Sequence, residues 1–152
     1  MRWQRWLACG LVSVISLTGC ATTGEYMAGK EKPLYERLGG SAAIEAVVSD
    51  FVPRIARDPR IKRFFANTDL APLKNKLIDQ LCEASGGPCK YTGKDMQTVH
   101  QGMGITPADF DALVEDLGVT LDKFVQSKFI SEREKAELLA VVGPMRKDIV
   151  AP

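Results

Sequence analysis

The chain of 152 residues contains one histidine, His100, and this count limits the chemistry that the sequence can support. It excludes a metal site built from two or three histidines and a zinc finger with two cysteine and two histidine ligands. Apolar residues lie near His100 in the sequence, at positions 96, 99, 103 and 105. This local pattern by itself favours a structural histidine bonded to a backbone carbonyl. Any mechanism that needs an imidazole must use His100.

Other residues could build a pocket around this imidazole. Four leucines share one face of a predicted helix, two phenylalanines precede them, and glycines lie on both sides of the short segment that carries His100. Thr68 and Lys76 lie near the leucine face and suit an anionic edge of a ligand. An apolar slot with one imidazole and a few polar or cationic groups at its mouth is typical of a haem site. The leucines and phenylalanines are Leu70, Leu73, Leu77, Leu81, Phe64 and Phe65.

The first twenty residues have the pattern of a secretory signal. Arg2 and Arg5 precede an uncharged apolar stretch, which ends in Leu17-Thr18-Gly19-Cys20. A basic start, an apolar stretch of this length and small residues before the cleavage position are typical of such signals. The last four residues resemble a bacterial lipobox, which implies cleavage before Cys20, lipidation of Cys20 and attachment to a membrane. The alternatives are a plain signal peptide and an apolar N-terminal helix.

The rest of the chain divides into a tether and one folded domain. We predict a lipoprotein signal peptide over residues 1–19, a polar tether over 20–32 and a globular domain over 33–150. Ala21 favours sorting to the outer membrane, as in lipoprotein families, with the domain facing the periplasm of a bacterial cell envelope. Without residues 1–19 the formal charge changes from +1 to −1, and the sequence predicts no nucleic-acid partner.

Two cysteines belong to the domain, and the compartment that the signal predicts is oxidising. Cys82 and Cys89 lie on either side of Ser85-Gly86-Gly87-Pro88, and we expect a local disulfide between them. The alternative is one buried thiol and one exposed thiol.

The domain is predicted to be all-α, because apolar residues recur at helical spacing and no segment alternates as a half-buried strand does. Ser41 is predicted to cap the first long helix, and Pro53 to kink that helix or end it near Val52. A short helical turn is expected after Asp58-Pro59, and another short helix over residues 96–101 carries His100. Thr68 or Asp69 is predicted to cap the next helix, and Gly86 to end it. Thr106 is predicted to begin a long helix. The capping box of Ser131 and Glu134 is predicted to begin the last helix, and Gly143-Pro144 to bend it.

Segments spread along the domain resemble those of one protein family. They are Leu38-Gly39-Gly40, Phe64-Phe65-Ala66-Asn67-Thr68, Leu73-Lys74-Asn75-Lys76, Gly86-Gly87-Pro88, Tyr91-Thr92-Gly93 and Met96-x-x-Val99-His100-Gln101-Gly102. In this order the set resembles the group I truncated haemoglobins, over residues 34–148. The resemblance implies the truncated two-over-two helical globin fold, haem b as cofactor, and reversible binding of a diatomic gas (O2, CO or NO).

The same resemblance implies a role for each matching residue. His100 matches the proximal histidine that ligates haem iron, and Thr68 and Lys76 match positions that contact the haem propionates. Leu73 and Leu77 match positions of the distal helix over the iron. The other haem-contact positions are Phe51, Phe64 and Phe65 in the pocket, and Met96, Val99, Met103, Ile105 and Phe110 on the proximal side.

The distal side departs from the pattern of relatives that bind O2 tightly. Those relatives have a tyrosine and a glutamine at the positions of Val52 and Leu77, whereas the distal pocket here is formed by Val52, Leu73 and Leu77. These side chains donate no hydrogen bond, and each such bond to bound O2 contributes roughly 1.5–3 kcal/mol. We therefore expect rapid O2 release. Gln80 is expected to face solvent rather than to supply the missing donor.

Two other functions stay open at this stage, although a gas-binding protein is favoured over a dedicated enzyme. The first is nitric oxide detoxification or redox chemistry with electron transfer, in which a neutral Lys76 amine would be the sixth iron ligand. The second is a haem-free helical envelope protein with a structural histidine. A reductase is an implied partner that the sequence does not identify.

Overall fold

The computed structural model describes residues 31–150, which contain helices and no strand. The predicted signal peptide, the predicted lipidation site Cys20 and most of the predicted tether lie outside the described residues. Within them, no helix has both the length and the apolar character needed to cross a membrane. The α-helices are α1 (Leu34–Leu38), α2 (Gly40–Ile55), α3 (Leu70–Ala84), α4 (Met96–His100), α5 (Pro107–Gln126), α6 (Glu132–Val142) and α7 (Arg146–Ile149), with 3-10 turns at Lys62–Phe64 and Gly143–Met145.

Two helix pairs form the body of the domain. α2 packs against α3, α5 packs against α6, and the two pairs meet through α2 and α5. Val48, Leu117 and Leu121 are almost fully buried where they meet. The short α4 packs against α7 rather than against α3. α3 and α4 make few direct contacts, and we call the space between them the gap. The all-α fold predicted from the sequence is confirmed.

Local capping signals explain where most of the helices begin. Asp69, rather than Thr68, caps α3 by accepting a hydrogen bond from the Ala71 N–H at 3.0 Å. Thr106 opens α5 with a reciprocal capping box to Asp109, and Ser131 opens α6 with the predicted box to Glu134. These bonds are made within three residues, which is why the sequence alone identifies them.

The predicted Ser41 cap of α2 is wrong, and so is the alternative that the helix ends near Val52, whereas the kink at Pro53 stays a prediction. The helix begins at Gly40, directly after Gly39, whose φ of 104° is left-handed and costs little for glycine. Ser41 therefore lies inside the first turn and donates to the Glu45 carboxylate instead of capping. The helix also continues through Pro53 to Ile55 rather than ending near Val52. The carbonyl that loses its partner belongs to Ser49, which is exposed, so water can satisfy it.

The last predicted helix is divided rather than bent. α6 ends at Val142, a 3-10 turn contains Pro144, and α7 follows as a separate short helix. Proline has no N–H, and this interrupts the ladder of helical hydrogen bonds at that point. The short helix predicted over residues 96–101 ends one residue earlier, because Gln101 has extended backbone angles.

Candidate functional site

His100 is the last residue of α4, and its ring orientation is set by that helix. Asp95 caps α4, accepting hydrogen bonds from the Thr98 N–H at 2.8 Å and the Thr98 hydroxyl at 2.7 Å. Nδ1 of His100 lies 2.7 Å from the carbonyl oxygen of Met96, one turn earlier. A carbonyl only accepts, so Nδ1 carries the proton and Nε2 keeps its lone pair. A histidine held in this way is suited to ligate a metal through Nε2.

A small apolar cavity of about 80 Å³ lies beside His100. Its walls come from the 3-10 turn after α2, from the residues after α4, and from α5. Of the residues predicted for the site, the cavity brings together Phe64, Phe65, His100, Met103, Ile105 and Phe110. The other predicted haem contacts do not line this cavity.

Sequence reasoning missed several residues that line the cavity. Leu113 follows Phe110 at helical spacing, and this spacing could have identified it. Ile61 and Ile149 come from distant parts of the chain, and only the tertiary fold brings them here. The carboxylate of Asp109 also lines the cavity and pairs with Arg63 at 2.6 Å, while the Arg63 guanidinium lies 4.4 Å from the centre of the Phe64 ring.

Several apolar side chains around His100 are only partly covered by the described residues. Val99 is 45% exposed and Met103 is 37% exposed, which is unusual for large apolar residues. Leu73 on α3 and Met96 on α4 are half-buried, yet neither packs against the main core. Apolar surface on both sides of the gap between α3 and α4 therefore suits a flat, largely apolar group that would cover it.

The apolar residues predicted for the distal side are buried or half-buried in the structure. Phe51 and Val52 on α2 are buried in the core, and Leu77 on α3 is half-buried against it. None of these side chains has a polar atom. The neighbouring Gln80 does not face solvent as predicted, because it is half-buried with its Nε2 3.1 Å from the Met96 sulfur and 3.4 Å from the Met145 sulfur. It thus links α3 to the elements that carry and support His100.

The two polar residues predicted at the mouth of the site are exposed. Lys76 donates a hydrogen bond from Nζ to the Thr92 hydroxyl at 2.9 Å, and Thr68 donates to the Phe64 carbonyl at 3.4 Å. Because Lys76 is exposed, its Nζ is accessible to an anionic group at the edge of the site. The position of Lys76 therefore suits an anionic ligand edge.

The loop over residues 86–95 is fastened to α3 and leads into α4. A disulfide joins Cys82 of α3 to Cys89, with the Cα atoms 5.7 Å apart. The Glu83 carboxylate accepts a hydrogen bond from the Tyr91 N–H at 2.9 Å, and this bond lowers the pKa of Glu83. Gly87 is required by space, since a Cβ there would come within 2.7 Å of the Cys82 sulfur. These contacts hold the start of the histidine helix at a set distance from α3.

The helical fold and the position of His100 define a haem-binding globin of the truncated type, with haem iron as its cofactor. The residues present fit the group, because Nε2 of His100 has no hydrogen-bond partner within residues 31–150, and the histidine lines an apolar cavity with partly exposed apolar side chains nearby. The model of the bacterial-like globin family matches residues 33–150, and the chain belongs to that family.

Similar proteins agree with this assignment. The group 1 truncated haemoglobin of Tetrahymena pyriformis is 37% identical over 122 residues, which cover 80% of this chain and 97% of that protein. The corresponding protein of Mycolicibacterium paratuberculosis is 36% identical over 117 residues, covering 76% and 82%. The crystal structure of the T. pyriformis protein in its Fe(III) form has a TM-score of 0.74 and 34% identity, and the match covers 80% of this chain and 100% of that one.

A cyanobacterial structure is also similar. It is the 2/2 haemoglobin of a Synechococcus species, in the cyanomet state and with covalently attached haem, and it has a TM-score of 0.70 and 34% identity. The match covers 78% of this chain and 98% of that one.

Proposed function

We propose that this globin reversibly binds a diatomic gas, O2, CO or NO, on haem iron ligated by His100. The observation that carries the proposal is the His100 ring, whose Nδ1 is held by the Met96 carbonyl at 2.7 Å and whose Nε2 has no hydrogen-bond partner within residues 31–150. When bound by His100, haem would supply an iron centre that can bind a diatomic gas.

The residues around the proposed haem site have distinct roles in this proposal. Met103, Ile105 and Phe110 exclude water from the histidine side, and Phe65 packs beside them. The exposed Lys76 and Thr68 are suited to hold the haem propionates, which are anionic. Asp95 and the 86–95 loop keep His100 in position, because they determine where α4 begins.

The distal residues are expected to make O2 binding weak and reversible. Val52 and Leu77 have no donor for the partial negative charge that O2 acquires on iron. The loss of two charge-assisted hydrogen bonds, each worth roughly 1.5–3 kcal/mol, speeds O2 release by a few orders of magnitude. CO needs less polar stabilisation than O2, so we expect the pocket to discriminate poorly against it.

The test is the rate of O2 dissociation from the purified ferrous domain, measured by stopped-flow mixing with CO. Leu77→Gln introduces a donor at a half-buried position of similar size, and we expect it to slow O2 release about ten-fold or more while CO release changes little. Val119→Gln is the matched control, since Val119 is exposed and does not line the cavity beside His100. Slow O2 release from the unmodified protein would contradict the proposed apolar distal side.

The alternative of a six-coordinate redox protein makes a different spectroscopic prediction. It requires the Lys76 amine at iron, whereas Lys76 is exposed and donates to Thr92. We expect the ferric spectrum to be unchanged in Lys76→Ala. A low-spin ferric spectrum that is lost in this variant would favour the redox alternative, and rapid consumption of NO by the oxygenated protein would favour NO detoxification.

We also infer that the globin is attached by lipid on Cys20 to the cell envelope, on the periplasmic face of the outer membrane. The support is the basic, apolar and Leu-Thr-Gly-Cys pattern of residues 1–20. Metabolic labelling with a tritiated fatty acid should mark the full-length protein but not Cys20→Ala. Recovery of unlabelled protein in the soluble fraction would overturn the inference. A reductase reaching the haem from the same compartment is the remaining proposed partner.

A further inference from the structure

Gln80 is a polar residue on a face of α3 that otherwise carries leucines. Leu73, Leu77 and Gln80 are spaced four and three residues apart, which places them on one side of the helix. Gln80 is half-buried, and a buried amide costs free energy unless it has hydrogen-bond partners. The apolar haem contacts predicted for this face give no reason for an amide at this position.

The partners of this amide are two sulfur atoms on different elements. Nε2 of Gln80 lies 3.1 Å from the Met96 sulfur and 3.4 Å from the Met145 sulfur. A thioether sulfur is a weak acceptor and has no proton to donate, so the amide is the donor in both contacts. Met96 is the first residue of α4, and Met145 ends the 3-10 turn before α7. One amide group therefore joins α3 to α4 and to the turn that precedes α7.

Met96 is also the residue that holds the His100 ring. Its sulfur accepts from Gln80, and its carbonyl oxygen lies 2.7 Å from Nδ1 of His100. α4 has five residues and makes few direct contacts with α3, so the position of Met96 depends on the contacts of its side chain. A histidine that donates its second N–H to a carbonyl is oriented by that bond and becomes a more basic metal ligand. A chain of contacts thus runs from α3 through Met96 to the imidazole.

We propose that Gln80 is a positioning residue for the iron ligand. Its amide fixes Met96 relative to α3 and to the turn before α7, and Met96 in turn fixes the direction and the basicity of the His100 ring. The inference rests on the proposed function, because it concerns iron ligated by His100. Gln80 acts through Met96 and needs no contact with haem. If Gln80 only filled space between the helices, an apolar side chain of the same length would serve equally well.

Resonance Raman spectroscopy of the haem-loaded, ferrous and gas-free protein tests the proposal, since the iron–histidine stretching band reports the basicity of the imidazole. Gln80→Met keeps the length of the side chain and removes the donor. We expect the band to shift to lower wavenumber, because a less firmly held Met96 carbonyl accepts more weakly from Nδ1 of His100. We also expect haem transfer to an excess of a haem-free acceptor globin to become about three-fold faster or more.

Two further variants separate the amide contact from general packing. Gln126→Met is the matched control, since it makes the same change at an exposed glutamine that ends α5 and does not line the cavity beside His100. Met96→Leu removes the sulfur acceptor but keeps the carbonyl, and alone it should shift the band in the same direction as Gln80→Met. In the double variant the two shifts should be less than additive, because both substitutions break the same contact.

Three results would overturn the positioning role of Gln80 and leave the proposed function intact. The first is an unchanged iron–histidine band in Gln80→Met, and this includes the case in which haem loss becomes faster without a shift. The second is an equal shift in Gln126→Met. The third is full additivity of Gln80→Met and Met96→Leu. If the unmodified protein has no iron–histidine band, ligation by His100 is itself contradicted, and the positioning role with it.

Discussion

The α2–α5 core and the gap between α3 and α4 are both apolar, but they are completed in different ways. In the core, Val48 and Leu121 have no exposed surface and Leu117 is 2% exposed. At the gap, Val99 and Met103 are 45% and 37% exposed. The core is closed by its own side chains, whereas apolar side chains at the gap are partly exposed and available to a bound group. Exposed apolar side chains suit a bound cofactor here because they lie beside the held His100 ring; exposure alone does not mark a site, since Phe129 is 55% exposed and does not line the cavity.

The helices α5 in the core and α4 at the gap also differ in how they are stabilised. α5 has 20 residues and a reciprocal capping box, so it carries its own start signal and a long buried face. α4 has five residues, too few for a helix to be stable without tertiary support. It depends on the Asp95 cap, on α7 and on the disulfide-fastened loop. The site is therefore the region in which small changes should have the most specific consequences.

The largest effect is expected from removing the ligand atom. His100→Ala should abolish retention of haem during purification, or leave haem without a histidine signature in the ferrous and CO-bound spectra. Gln101→Ala is the control, because Gln101 is adjacent and exposed. A retained spectrum typical of histidine-ligated haem in His100→Ala would refute the assignment of the proximal ligand.

The contrast between core and gap is tested by one substitution in each. Leu117→Ala should cost about 2–5 kcal/mol of unfolding free energy with or without haem, because it opens a cavity in a closed core. Met103→Ala should cost much less in the haem-free protein, since its side chain is already 37% exposed, and should speed haem loss. Urea titrations and haem-transfer kinetics measure the two effects. Equal destabilisation of the haem-free protein by both would remove the distinction.

A smaller effect is expected from the Cys82–Cys89 disulfide. Replacing both cysteines by serine should lower the unfolding free energy by about 2 kcal/mol, as the short loop predicts. Because the loop leads into α4, we also expect faster haem loss. Reduction of the unmodified protein by a dithiol should reproduce both changes, and the double variant should then be insensitive to the reductant. A change in stability without a change in haem loss would show that the loop does not position α4.

The smallest effect is expected at the cap of α4. Asp95→Ala should cost about 1 kcal/mol, whereas Asp95→Asn should retain most of the cap. The pKa of Asp95 is lowered by bonds from the Thr98 hydroxyl and N–H. Its contribution is thus complete above about pH 4 and is lost as the pH falls through the lower, folded-state pKa. Acid titration of stability should show a weaker decline in Asp95→Ala than in the unmodified protein.

The accuracy of the sequence predictions follows the range of the interactions involved. The capping boxes at Thr106 and Ser131 were predictable, because each joins groups three residues apart. The continuation of α2 through Pro53 was not, since it depends on burial of Val52 and Ile55 by other helices. Gln80 was assigned to solvent because its partners, the sulfurs of Met96 and Met145, are 16 and 65 residues away.

The amino-acid sequence by itself determined that the domain is helical, that several helices begin at particular caps, and that any imidazole chemistry belongs to His100. These properties depend on residue type and on contacts within a turn of helix. Only the tertiary structure decided that Nδ1 of His100 is held by Met96, that Lys76 is exposed beside Thr92, and that Asp58 and Asp116 face one another. The physical reason is that burial and charge pairing depend on distances in space, which the fold sets between residues far apart in the chain.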